Sequence, residues 1–215
     1  MSRRYDCSDP SERATGLREA ASAVRRGELV VLPTDTVYGL GADAFSAEAV
    51  ASLLAAKGRG RSMPTPVLVG SPTTLHGLVS DFSEQAWELV DAFWPGGLTL
   101  VTRHQPSLRW DLGDTRGTVA VRMPLHPVAI ELLGTTGPMA VSSANLTGKP
   151  SPLDCDDAQA MLGESVSVYL DGGAAEHGVP SSIVDVTGKV PVLLREGAIS
   201  AAQLREVVPE LEAGS

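Results

Sequence analysis

Cysteine is nearly absent. Cys7 and Cys155 stand alone in 215 residues, with no Cys-x-x-Cys and no histidine pair at ligand spacing. That excludes a disulfide framework or a zinc knuckle and fits a reducing compartment, the cytosol. The four histidines are scattered and place no base beside a nucleophile, so no catalytic triad is visible. No apolar run reaches ~18 residues, and the start MSRRYDCSDPSER is too polar for a signal peptide, so no membrane association is expected. The phosphate loop G-x-x-x-x-G-K-[ST] is missing. Gly39-Leu40-Gly41-Ala42-Asp43-Ala44 fits G-x-G-x-x-A, yet six residues separate it from Leu32, and no acid follows ~20 residues later to hold a ribose. A dinucleotide site survives only as a weak alternative.

One further absence is local. The chain carries a net charge of −9, which repels nucleic acid and anionic membranes on average, yet residues 49–80 contain no Asp or Glu. Lys57, Arg59 and Arg61 lie inside that window. Fields are screened within about 8 Å at physiological salt, so such a cluster can hold an anion despite the overall sign. A solvated loop is the plainer reading of the same residues.

What is present is a steady alternation of strand and helix signals. Ala14, Leu17, Ala21 and Val24 recur at helical spacing, with Gly27 placed as a C-terminal stop. Strand Glu28–Leu32 empties into PTDTVYGLG, read as a loop, before a helix capped by Ser46. Ser83 caps another helix with Phe82 and Trp87 as a hydrophobic staple, and Pro95-Gly96-Gly97 ends it. Strands follow at Leu98–Thr102, Thr118–Met123, Met139–Val141, Val166–Leu170, Ser182–Val186 and Val190–Leu194. Residues 103–117 read as loop, Pro127 opens a helix, another lies near Asp154–Leu162, and Ser200 with Gln203 forms a capping box. No linker or repeat interrupts the series. The expectation is one α/β domain over 1–215, core about 11–208 with short flexible termini, built on a twisted, largely parallel or mixed sheet.

Ligands of open α/β sheets bind beyond strand carboxyl ends. Three polar segments begin there: PTDTVYGLG, Ser142-Ser143-Ala144-Asn145, and Arg195-Glu196-Gly197. Lys57 continues the apolar stripe of Val50 and Leu54, so its stem starts on the covered side with the ammonium at the rim; complementing the helix dipole is the plainer role. Thr118 and Arg122 share one strand face with Ala120 between them. An unpaired guanidinium there is costly, so Arg122 needs either an internal salt bridge or a bound carboxylate or phosphate. The hydroxyls and amide of SSAN, followed by Lys149 and Ser151, suit a phosphate, and equally suit a plain turn.

Together, PTDTVYGLGADAF, Lys57-Gly58-Arg59, FWPGGLTLV, TVAVRMPLHP, SSAN with GKPSP, DGG, GVPSSIVDV and PVLLREG resemble the YrdC/TsaC family, L-threonylcarbamoyladenylate synthases, from about Leu29 to Gly197. The resemblance implies a twisted sheet with flanking helices around an open cavity. It implies synthesis of threonylcarbamoyl-AMP and diphosphate from L-threonine, bicarbonate and ATP with Mg²⁺, the metal held mainly by phosphates. The product would pass to a tRNA threonylcarbamoyl transferase for modification of adenosine 37. By resemblance, Thr36, Arg122 and Ser181 bind threonine, with Thr34 as a further candidate. Lys57, Arg59, Thr118, Ser143, Asn145, Ser151 and Arg195 surround ATP, with Lys57 and Arg59 catalytic. The sequence departs from many relatives at Met63–Pro66, at Gly70 where they carry His, and at Pro180-Ser181-Ser182 where they carry E-S-T. Longer members add a C-terminal domain, and this chain corresponds to the short form. Alternatives are a non-catalytic RNA-binding module with weak RNA contact through Lys57, Arg59, Arg61 and Lys149, or a same-fold enzyme for another carbamoyl or sugar-phosphate substrate.

Overall fold

The computed structural model describes residues 2–175 and 178–214. In chain order the elements are β1 (Arg3–Asp6), α1 (Pro10–Arg25), β2 (Val30–Leu32), β3 (Gly39–Asp43), α2 (Ala47–Ala56), β4 (Val67–Leu68), α3 (Leu75–Leu78), β5 (Val79–Ser80), α4 (Glu84–Phe93), β6 (Leu98–His104), β7 (Thr118–Arg122), α5 (Pro127–Thr136), β8 (Met139–Ser143), α6 (Cys155–Leu162), β9 (Val168–Asp171), β10 (Ser182–Asp185), β11 (Val192–Arg195), α7 (Ala201–Val207) and β12 (Glu212–Ala213).

The strands form one sheet in the order β1-β9-β2-β3-β8-β4-β7-β6-β10-β11-β12, with β5 also on β6. Pairing is parallel at β1/β9, β9/β2, β4/β7, β6/β10 and β11/β12, and antiparallel elsewhere, so the sheet is mixed. It extends past the expected core at both ends. β1 adds to β9, where Arg4 donates to Asp171 at 2.6 Å. No described helix is long and apolar enough to cross a membrane.

Helix ends follow their sequence signals. The Asp9 carboxylate accepts from the Ser11 and Glu12 amides at α1, and the Ser200–Gln203 capping box closes at α7. Phe82 and Trp87 meet edge to face at 4.9 Å at the start of α4. One expectation about the strands fails at the glycine loop. Gly39–Asp43 is strand, not loop, and runs antiparallel to both β2 and β8. A Cβ at Gly39 would stand 2.7 Å from Val141 Cγ1, so glycine is there for close strand-to-strand approach. These glycines open no helix, which removes the dinucleotide alternative.

Coverage of the sheet is uneven, and that makes the hollow. Around β2, β3, β8 and β9 both faces are packed. Leu17, Ala20 and Val24 of α1 with Val128 and Leu132 of α5 cover Val30, Leu32, Met139 and Val141. Leu53 of α2 with Ala158 and Leu162 of α6 cover Val31, Leu40 and Tyr169. Around β6, β7 and β10 only one face is packed, where Leu89 and Val90 of α4 and Leu204 of α7 bury Leu98, Leu100, Val119, Val121 and Val184. On the opposite face of these three strands, Thr118, Ala120, Val101 and Ile183 are half-exposed. Strand alternation puts Arg122, Thr99 and Arg103 on that same open face.

Candidate active site

Arg122 ends β7 on the open face and is buried at 6% exposure. Its Nε donates to the Gly96 carbonyl at 2.8 Å, Nη1 to Thr36 Oγ1 at 2.8 Å, and Nη2 to Asp35 Oδ1 at 2.6 Å. Asp35 Oδ1 also accepts from the Leu125 amide at 2.8 Å. Burial pushes the guanidinium's pKa below its ordinary value; the Asp35 carboxylate opposes that, and Arg195 adds to it. Of five N–H donors on a guanidinium, three are engaged among the described residues. Two are unengaged among the described residues. Both roles weighed for Arg122 are therefore open at once: an internal salt bridge with donors to spare.

The turn after β2 exists to place Thr36. Thr34 Oγ1 donates to the Val37 carbonyl at 2.6 Å and accepts from the Thr36 and Val37 amides at 3.2 and 3.3 Å. The Thr34 proton is thereby spent, so in the 3.0 Å pair between the two hydroxyls Thr36 is the donor. Thr34 braces the turn, and Thr36 touches the guanidinium.

Ser181 Oγ pairs with Thr99 Oγ1 at 2.8 Å. The Ser181 carbonyl accepts from Arg195 Nε at 3.1 Å and Nη2 at 2.6 Å. Partial burial lowers the Arg195 pKa from its usual value. Next to it, a Cβ on Gly197 would run into the Pro180 carbonyl and the Ser181 backbone, so only glycine lets the REG turn close on this segment.

Lys57 differs from expectation. As the C-cap residue of α2 it is only 3% exposed, and its ammonium is folded inward rather than left at the rim. Nζ donates to the Ser143 carbonyl, to the Asn145 carbonyl at 2.6 Å and to Asn145 Oδ1 at 3.4 Å. The Lys57 carbonyl accepts from the Thr147 amide, and Asn145 Nδ2 donates to the Lys149 carbonyl at 2.6 Å. Lys57 thus knots the segment after β8. Burial, with a smaller push from Arg59, lowers its pKa to about 8. Arg59 is half-buried, donating from Nε to the Met63 carbonyl (2.8 Å), from Nη1 to Ser142 Oγ (2.9 Å) and from Nη2 to the Pro64 carbonyl (3.2 Å); burial lowers its pKa too.

The remaining expected residues divide. Ser143 is half-exposed at the end of β8, and its hydroxyl has no partner among the described residues. Thr118 Oγ1 donates to the Thr115 carbonyl at 2.8 Å at the start of β7. Ser151 stands apart, in a shallow groove with Leu146, Lys149, Asp157 and Met161 against α6. At Gly70 a Cβ would come within 3.1–3.2 Å of the Leu133–Gly134 backbone of α5, so the close packing there leaves little room for a side chain. A cavity of about 560 Å³ is lined by Pro33, Thr34, Asp35, Trp94, Gly97 and Ile199 among others; of the cluster around Arg122 it shares Thr34, Asp35, Gly96 and Leu125, and not Arg122 itself.

Sequence reasoning missed Asp35 and Arg103. The aspartate is flanked by two threonines in the quoted loop, and a buried arginine needing a counter-charge was the signal for it. Arg103 was placed in a loop, yet β6 continues to His104 and sets Arg103 opposite Thr118.

A mixed α/β sheet with one uncovered face, rimmed by cations whose acceptors are mostly neutral, defines a site for anionic ligands. The sequence pattern of the Sua5–YciO–YrdC family, described as telomere recombination, matches residues 22–197, and the chain belongs to that family. A Mycobacterium tuberculosis protein that carries the provisional name threonylcarbamoyl-AMP synthase is 56% identical over 208 residues, covering 97% of this chain and 96% of its own. The threonylcarbamoyl-AMP synthase of Pyrococcus abyssi is 38% identical over 91% of this chain and 58% of its own. The crystal structure of P. abyssi Sua5 complexed with L-threonine superposes with a TM-score of 0.92 at 34% identity, and this chain covers 62% of it. Escherichia coli YciO, at 24% identity and a TM-score of 0.84, shares the fold over 95% of this chain and its own full length.

Proposed function

We propose that this chain is a threonylcarbamoyl-AMP synthase, joining L-threonine, bicarbonate and ATP and releasing diphosphate. The observation that carries the reading is a charge arrangement. Lys57, Arg59 and Arg195 donate only to carbonyls, hydroxyls and one side-chain amide among the described residues, while Arg122 alone has a carboxylate. Cations left without counter-ions in a chain of net charge −9 are matched by a triphosphate.

The threonine amine attacks the bicarbonate carbon; water leaves, giving an N-carboxylate. A carboxylate oxygen then attacks the α-phosphorus, and the bond to diphosphate breaks. Neither step needs an enzyme nucleophile, so the work is positioning and charge stabilisation. The two spare Arg122 donors and Ser181 hold the amino acid. Arg59 and Arg195 offset charge growing on the phosphates, aided by Thr118 and Ser143, and Lys57 with Asn145 fixes the loop beneath them. Mg²⁺ would be carried in on ATP and held mainly by its phosphates, with the Ser143 hydroxyl, unpartnered among the described residues, placed to contact it. Such an ion would supply further neutralisation of phosphate charge. The product, a reactive mixed anhydride, would pass to a tRNA threonylcarbamoyl transferase.

Purified protein with ATP, Mg²⁺ and bicarbonate should release diphosphate only when L-threonine is added. Release independent of threonine, or none at all, overturns the proposal.

A further inference from the structure

We infer that Asp35 is a selectivity residue: it neutralises Arg122 so that the amino-acid pocket accepts a zwitterion and rejects phosphate. The inference rests on the reading that an amino acid binds at Arg122. The geometry is specific. Asp35 Oδ1 takes Nη2 of Arg122 at 2.6 Å and is itself fixed by the Leu125 amide at 2.8 Å, in the link between β7 and α5. The carboxylate is tied from two directions and cannot follow a ligand.

Arg122 also feels the charge of Arg195. Without Asp35, two arginines would face one pocket beside a site built for phosphates, and inorganic phosphate or the diphosphate product would occupy it. With Asp35, the Arg122 pair is neutral while two guanidinium donors stay available. A zwitterion carries charges of both signs, so the effects of one wall charge on its carboxylate and on its ammonium partly offset each other. An anion's binding changes by the full Coulomb interaction, which is large in a partly dry site. Asp35 therefore acts on the competitor far more than on the substrate.

The test is the steady-state rate of threonine-adduct formation, with inorganic phosphate as inhibitor, on the wild type, Asp35→Asn and Asp35→Glu. In the wild type, phosphate is expected to compete with ATP and not with L-threonine. In Asp35→Asn it should compete with both, with inhibition against threonine strengthened at least tenfold relative to the threonine KM; Asp35→Glu should restore the wild-type pattern. Loss of packing alone would raise the threonine KM without creating phosphate competition. An Asp35→Asn protein in which phosphate still fails to compete with threonine overturns the inference. Should that variant not fold, the wild type decides: 2,3-dihydroxybutanoate, the net −1 analogue with hydroxyl for amine, should compete with threonine no better than threonine's own affinity. Tenfold tighter competition would reveal a positive pocket and refute the idea. If the wild type makes no threonine adduct, the functional reading fails instead, which is a separate outcome.

Discussion

The Lys57 ammonium rests on the carbonyls of Ser143 and Asn145, 86 and 88 residues further along the chain, and among the described residues it meets no carboxylate. A buried cation held only by dipoles is stable because every proton finds an oxygen.

Titrating that proton gives the first prediction. The folded pKa of about 8 lies below the ordinary lysine value of 10.5. Between the two, the unfolded chain binds the proton and the folded chain does not, so this group makes stability rise with pH across the window. Activity should move the other way, with kcat/KM for ATP falling as pH passes about 8. Parallel melting curves and rate profiles would check this, and Lys57→Arg should abolish the alkaline decline. A profile flat to pH 10 in the wild type would contradict it.

Arg59→Ala should lose on the order of 10²-fold in rate, the scale of one charge-stabilising donor. Its three bonds go to two carbonyls and a hydroxyl at a half-exposed position, so the melting temperature should change by only a few degrees. Diphosphate release and thermal melts report the two effects separately.

Thr36→Val keeps the shape but strips the acceptor from Arg122 Nη1. An unpaired donor at that buried site costs about 1–3 kcal/mol. The threonine KM should rise roughly tenfold, with the ATP KM nearly unchanged. An equal rise in both would argue that the turn after β2 does not serve the amino acid.

Gly197→Ala should damage the site through the backbone. The new Cβ lies 2.7 Å from the Ser181 carbonyl carbon, whose oxygen holds Arg195. Destabilisation of about 1–3 kcal/mol is expected, the usual cost of overpacking, together with weaker ATP binding measured by calorimetry.

Much of this was readable from periodicity and caps. Ser46, Ser83 and Ser200 announced their helices because a side-chain oxygen beside a free helical amide is a local event. Thr118 and Arg122 declared a shared face because strand alternation is local too. Gly39–Asp43 was missed because its strand character comes from neighbours, β2 on one side and β8 on the other, while its glycines read as loop. The inward turn of Lys57 was equally hidden, since its acceptors lie far along the chain. Asp35 went unassigned for the same reason: its partners Arg122 and Leu125 are 87 and 90 residues away.

The single-sided packing of β6, β7 and β10 separates foundation from instrument. The strand scaffold is anchored from behind by α4 and α7, while the chemistry is delivered in front by short connecting segments near residues 34–36, 143–151 and 195–197. A change confined to those segments leaves the apolar contacts behind the sheet in place.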